Sequence, residues 1–451
     1  MFWLKYHFKR WLNLYRLNEV FTPNTVAKVT YVQRSSIEES FERNLEQVGR
    51  AIIIYGHSGS GKTTLIRNKL KQLKYNYVQI SCDHQTTFFD ILTRTVDELG
   101  TFYVSQRKTN RKYSISAKSK IEYKQLASEL SSSIEESSEV THTRMVNPQI
   151  TPQRIAKLLG NVHAVLILED FHKVAKVEKE KIADCLKIFI DSANDFPDLK
   201  VICIGAVDTP RELIDQSADL YPRVSEIEVP LLSNTELNEA IEKGCDVLNI
   251  MMSSELKEKI IYYSNNLGSL AHKMCFDICF SNGILKRSLK KKKIGDDKFK
   301  QAIDSFIISN SDSLKKVYDL SIQDKIGWYI LKTISNYGNP IRFEDLYSNI
   351  KSKDQQYNQI EVKEKLTELV SEEINILRYD KNSGMYSIST PFWGAFLKMK
   401  LATEKAQKKQ SIKNKHNKKL TVKAINLEGL DAIVEASFLQ LIEKYNRAHR
   451  K

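Results

Sequence analysis

Residues 52–65 read IIIYGHSGSGKTTL. AIIIY at 51–55 is a short, unbroken apolar run, as expected of a strand buried on both faces. GHSGSGKT, from Gly56 to Thr63, fits G-x-x-x-x-G-K-[S/T], and a helical pattern runs on from Lys62 to Leu73. Gly56, Gly59 and Gly61 let the backbone curl close to a phosphate chain, partly at positive φ. The loop amides and the helix N-terminus then aim positive dipoles at the anion. Gly56, His57, Ser58, Gly59, Ser60, Gly61, Lys62, Thr63 and Thr64 are the candidate nucleotide-binding residues. Lys62 would set a fixed charge between the β- and γ-phosphates, and Thr63 would offer a hydroxyl to Mg²⁺. ATP and Mg²⁺ are the cofactors this pattern implies.

A second element completes the first. AVLILEDFHKV (164–174) is an apolar strand ending in Glu169 and Asp170. Acids at the C-terminal edge of a strand beside such a loop suit a metal-holding carboxylate, Glu169, followed by one that orients or deprotonates water, Asp170. The bland alternative is a surface acidic pair that merely ends a strand.

Working outward, YVQISC (77–82), VICIG (201–205) and SEIEVP (225–230) read as further strands, with helices at 88–99, 152–160 and 177–195 between them. Alternating strands and helices imply βαβ crossovers and a parallel sheet. Residues 101–150 are rich in serine, lysine and glutamate and read as a polar insertion, part helix and part loop. Beyond Pro230 the pattern turns helical, with no strand expected until about 377. Residues 322–400 offer three short helices and then two strand-like pieces around Asn382-Ser383-Gly384, the order of a winged helix.

The expected domains are an N-terminal basic, aromatic arm (1–30), a nucleotide-binding domain (31–230), a helical lid (231–310), a winged-helix domain (311–400), and a lysine-rich linker with a C-terminal amphipathic helix (401–451). The fold class is α/β.

The totals add bounds. The chain has 451 residues and a net charge of +14, which favours a polyanionic partner without choosing one. The six cysteines lack CxxC spacing, which reads as buried apolar residues in a reducing, cytoplasmic setting rather than as a metal set. Cationic side chains interrupt residues 1–18, so that stretch cannot span a bilayer, although a membrane-surface helix stays open. The lysine tracts at 286–293 and 405–419 suit nonspecific nucleic-acid contact or a solvated face. QIEVKEKLTELVSEEI (359–374), the third helix of the winged-helix pattern, carries Glu361, Glu364, Glu368, Glu372 and Glu373, a balance that repels a phosphate backbone. Arg378 and Lys381 lie beside the wing.

The chain resembles the AAA+ and STAND branch of P-loop ATPases, and within it the initiator-like, origin-recognition-like group with a lid and a C-terminal winged helix. YVQRSSIEESFERNL, YGHSGSGKTTL, VLILEDFHKV, VICIGAVDTPREL, YPRVSEIEVPLLSNTELNEAI and NNLGSLAHKM carry the resemblance over roughly residues 30–395. The chain also looks similar to bacterial ATPases with YGHSGSGKTTL and EDFHKV. The resemblance implies that Asp208 is a sensor of the γ-phosphate and that Arg223 is an arginine finger offered to a neighbouring subunit of a homo-oligomer. It implies an adenine-side place for Arg34. Two departures from the family pattern stand out. The acids run Glu-Asp rather than Asp-Glu, which makes Asp170 a short base. Ala271 stands where the lid carries a sensor arginine, leaving His272 or Lys273 to reach the phosphates. The expected activity is a slow ATPase switch controlling oligomerisation and partner binding, in a DNA-linked transaction. A signalling or defence scaffold that recruits a separate effector protein, or a membrane-surface regulator, is the alternative.

Overall fold

The computed structural model describes residues 15–109, 151–206, 218–337 and 340–407. The arm before residue 15, most of the polar insertion (110–150), Asp208 and the C-terminal segment from 408 lie outside the described residues. The chain divides into two compact units, 1–305 and 306–451.

In the first unit five parallel strands form one sheet: β1 (Ala51–Tyr55), β2 (Asn76–Ser81), β3 (Ala164–Glu169), β4 (Val201–Ile204) and β5 (Val224–Glu228), in the order β2-β3-β4-β1-β5. Strand β1 pairs with β4 through Ile53↔Cys203 and with β5 through Ile53↔Glu226. Helices cover both faces, so the central strands β1, β4 and, up to its terminal Glu169, β3 are apolar runs that divide their side chains by alternation, while the outer strands β2 and β5 are mixed. Ile53, Ile80, Leu166 and Leu168 pack on one side with Leu92, Val96, Leu159 and Leu186. Ile52, Ile54, Val165 and Ile167 pack on the other with Phe41, Leu45, Leu65 and Leu70. The loop after β1 and the acids after β3 therefore emerge at the same, carboxyl edge of the sheet, with β4 between them. Crevices at this edge are where ligands bind in open parallel sheets.

After β5 come the helices Asn234–Leu248, Ser254–Ser264 and Gly268–Ser281. This lid is not purely helical. Strands β6 (Ile250–Met252) and β7 (Lys292–Ile294) pair in parallel, so part of the 286–293 lysine tract is strand. At three residues each they are too short for a periodic signal, and the lysines hide the pattern. The N-terminal segment packs on this lid. Tyr15, Leu17, Val20 and Phe21 are buried, and a Cβ on Gly244 would lie 2.4 Å from the Phe21 ring. The last part of the 1–18 stretch is thus core rather than a membrane-facing surface.

The second unit contains the helices Lys316–Ser321 and Lys325–Tyr337, β8 (Ile341–Arg342), the helices Phe343–Lys351 and Gln359–Val370, β9 (Leu377–Asp380) and β10 (Met385–Ile388). Strand β10 lies antiparallel between β8 and β9. A helix over 391–407 follows, and its Trp393 and Phe396 pack edge-to-face in the core. Among the described residues no helix is long and apolar enough to cross a membrane.

Candidate nucleotide site

The loop after β1 turns on three glycines in conformations that a side chain disfavours, with φ of +134° at Gly56, +81° at Gly59 and +94° at Gly61. A Cβ on Gly56 would lie 2.3 Å from the Val229 carbonyl oxygen, so that position needs glycine for space as well. Gly61 has open space around it and needs glycine for its backbone alone. It caps the helix Lys62–Leu73, whose first amides face the loop.

Lys62 folds back over this loop. Its Nζ donates to the carbonyl oxygens of Gly56 and His57, each at 2.8 Å. Burial pushes its pKa down to about 8, against the opposing pull of Asp170 and then Glu169. Thr63 Oγ1 donates to Glu169 Oε1 at 2.5 Å, so the two expected metal-holding residues meet across the site. The Glu169 Oε2 accepts from the Gln79 amide. Gln79 Oε1 in turn accepts from Arg67 Nε at 3.0 Å and Nη2 at 2.7 Å.

Asp170 sits in the left-handed region, with φ of +56°, and pairs with Lys173 at 2.7 Å. His172 Nδ1 accepts the Ala206 amide at 3.2 Å, tying the end of β3 to the end of β4. Burial holds its pKa below the ordinary histidine range. Asp208 lies outside the described residues, which stop at Ala206 on that side.

The other expected residues separate. Arg34 lines the same cavity, but its guanidinium serves the backbone. It donates to the carbonyls of Pro230 (2.9 Å) and Leu231 (3.3 Å) and pairs with Glu236 at 3.2 Å. It thereby clasps the sheet domain to the first lid helix. His272 does not extend toward the loop as a cation. Its Nδ1 accepts the Thr22 amide at 2.9 Å and its Nε2 lies 3.4 Å from Thr30 Oγ1. Burial lowers its pKa to about 4, so the ring is neutral. Lys273 is engaged by Asp277 at 2.6 Å. The reason is tertiary, because the N-terminal segment occupies the space beside the lid helix that sequence alone leaves empty. Arg223 is half exposed and pairs with Asp191 at 2.8 Å, away from the chain's own loop.

These elements line an open cavity of about 500 Å³, within the range of small-molecule sites. It is lined by the loop with Glu169 and Asp170, and by Thr22, Pro23, Val26, Tyr31, Leu232 and His272. Ser60 Oγ and Thr22 Oγ1 are buried in its wall without a protein partner, which suits a polar ligand. For Mg²⁺ the donor set also fits, since a hydroxyl and a carboxylate are hard oxygen ligands. All six cysteines are buried and free. Gln79, Arg67 and the Thr22–Tyr31 wall were not anticipated. The one legible sign was a glutamine inside YVQIS, next to the strand that ends in the acids.

Residues 45–208 match the model of a family described as "AAA domain". Among solved structures, the chain is similar to the Walker-type ATPase PABY2304 of Pyrococcus abyssi. The TM-score is 0.51 at 13% identity, over 82% of this chain and 96% of that one. The Aeropyrum pernix ORC2 protein, in ADPNP–ADP complexes, aligns with a TM-score of 0.45 at 14% identity, over 85% of this chain and 98% of that one. The Thermotoga maritima RuvB Holliday junction branch migration motor aligns at 0.40 and 13% identity, over 79% and 92%. At that identity the first likeness speaks for the fold alone. Among curated proteins, none matches this chain.

Proposed function

From the premise that residues 45–208 are an AAA-type P-loop domain, we propose that this chain binds Mg-ATP, hydrolyses it slowly, and uses the bound state as a switch for oligomerisation and partner binding. The observation that carries the reading is the Thr63–Glu169 hydrogen bond in the wall of the cavity. It joins the hydroxyl and the carboxylate that a nucleotide-bound magnesium requires. Lys62 would exchange two carbonyl partners for phosphate oxygens. The base would lie toward Thr22–Tyr31 and the neutral His272. A bound Mg²⁺ would offset charge that develops on the phosphates.

Slow turnover follows from Asp170. It is the short acid, and its carboxylate is already paired with Lys173. Arg223 is exposed enough to serve a neighbouring subunit once it leaves Asp191. Arg34 gives the nucleotide state a route to the lid, because it joins the cavity wall to Glu236.

The second unit has the element order of a winged helix, and we read it as a protein-facing module. Lys365 on the helix Gln359–Val370 is buried and paired with Asp324 at 3.0 Å and Glu368 at 2.9 Å. Lys363 lies over the Phe343 ring. The remaining charge on that helix is acidic, which disfavours a DNA groove. Contact with nucleic acid, if made, falls to the lysine tracts.

The test is calorimetry of Mg-ATP with the full chain and with Lys62→Ala, combined with mass measurement with and without Mg-ATP. The wild type should take up nucleotide and gain mass, and the variant should do neither. No uptake by the folded wild-type chain removes the reading, and an unchanged monomer mass at saturation removes the assembly switch.

A further inference from the structure

The Glu169 carboxylate has two oxygens with different partners, and the difference points to a residue with no part in the nucleotide motif. Oε1 accepts from Thr63, while Oε2 accepts from the side-chain amide of Gln79. Gln79 itself could be flipped, since its oxygen and nitrogen have similar shapes. Arg67 removes that freedom. Two guanidinium donors, at 3.0 and 2.7 Å, can only be met by the Gln79 oxygen, which leaves the nitrogen to face Glu169. The three residues come from separate elements: Arg67 from the helix Lys62–Leu73, Gln79 from β2 and Glu169 from the end of β3. Strands β2 and β3 are in register through Gln79↔Ile167 and Ser81↔Glu169, which fixes the brace to the sheet. Arg67 also follows Thr63 by four residues, one helical turn, so the same helix supplies both the hydroxyl and the brace.

We propose that Gln79, held by Arg67, is a positioning residue for the metal of the nucleotide site. It occupies one oxygen of Glu169 and leaves the other to face Thr63 and the cation. The inference rests on the nucleotide-binding reading above. A one-oxygen carboxylate beside a hydroxyl suits Mg²⁺, which keeps several waters and takes few protein ligands. Partners behind a metal's ligands typically govern affinity by about 10–100-fold.

The test measures ATP binding by fluorescence of a labelled ATP, first in chelator and then in a Mg²⁺ titration, on wild type, Gln79→Leu and Arg67→Leu. Expected is an unchanged affinity in chelator, with the Mg²⁺ concentration for half-maximal tightening raised about tenfold or more in Gln79→Leu. Arg67→Leu should move it in the same direction by less. A purely structural role for Gln79 would weaken both conditions alike and would overturn the proposal, as would a Mg²⁺ half-point within about twofold of wild type. Should Gln79→Leu fail to fold, Arg67→Leu decides by the same criterion. If the wild type binds no ATP in either condition, the nucleotide reading itself fails, an outcome separate from an unshifted Mg²⁺ half-point.

Discussion

Raising the pH should weaken ATP binding through Lys62 alone, by an amount the site fixes. Without nucleotide, burial holds the Lys62 pKa down to about 8. A bound triphosphate favours the charged form and returns it to the ordinary lysine range. The free site is then about nine-tenths charged at about pH 7 and about one-tenth at about pH 9. Binding at the higher pH must first take up a proton, so affinity falls about tenfold between the two. Proton uptake rises from about 0.1 to about 0.9 per nucleotide. Nearby groups do not blur the window: the Cys82 thiol is pushed up to about 12 and His272 down to about 4. The stability of the free chain moves the other way. The unfolded lysine holds its proton to higher pH than the folded one, so stability rises from about pH 8 to about pH 10. Calorimetry at each pH in two buffers of different ionisation heat reads the uptake directly. Equal affinity at both pH values, with uptake near zero at the higher one, would falsify the account of Lys62 as a buried cation awaiting an anion.

The loop glycines should separate by mechanism. Gly61→Ala meets no neighbour and should cost roughly 1–2 kcal/mol from its backbone alone, whereas Gly56→Ala also collides with the Val229 carbonyl and should lower the melting temperature distinctly further. Equal melting temperatures would contradict the geometry. Arg34→Ala leaves two linker carbonyls and Glu236 without their donor and should cost roughly 1.5–3 kcal/mol in urea unfolding; a wild-type midpoint would show that the clasp contributes nothing. Arg223→Ala should leave ATP affinity intact and reduce turnover by about 10³-fold, only at concentrations where the chain assembles. An equal loss in dilute monomer would mean that the arginine does not act in trans.

Much of the nucleotide end was legible because its chemistry is local. Gly56, Gly59 and Gly61 announce a backbone that needs positive φ, and the strand before them is marked by its unbroken apolar run. The acids after β3 are equally plain. The N-terminal wall was not legible, because nothing in FTPNTVAKVT shows that Thr22 and Thr30 would meet His272 some 250 residues away. The short strands β6 and β7 escaped for a related reason: three residues cannot display a period, and lysines in β7 look like a solvated tract.

Residue order along the chain was enough to specify the alternation of strands and helices, the phosphate loop and its lysine, since each is written in neighbours within a few positions. Folding in three dimensions decided which oxygen of Glu169 meets Thr63, that Gln79 and Arg67 hold the other, that Arg34 is a clasp, and that His272 is neutral. Those outcomes depend on contacts between distant segments and on the loss of water around them, and neither is written in any one stretch of sequence.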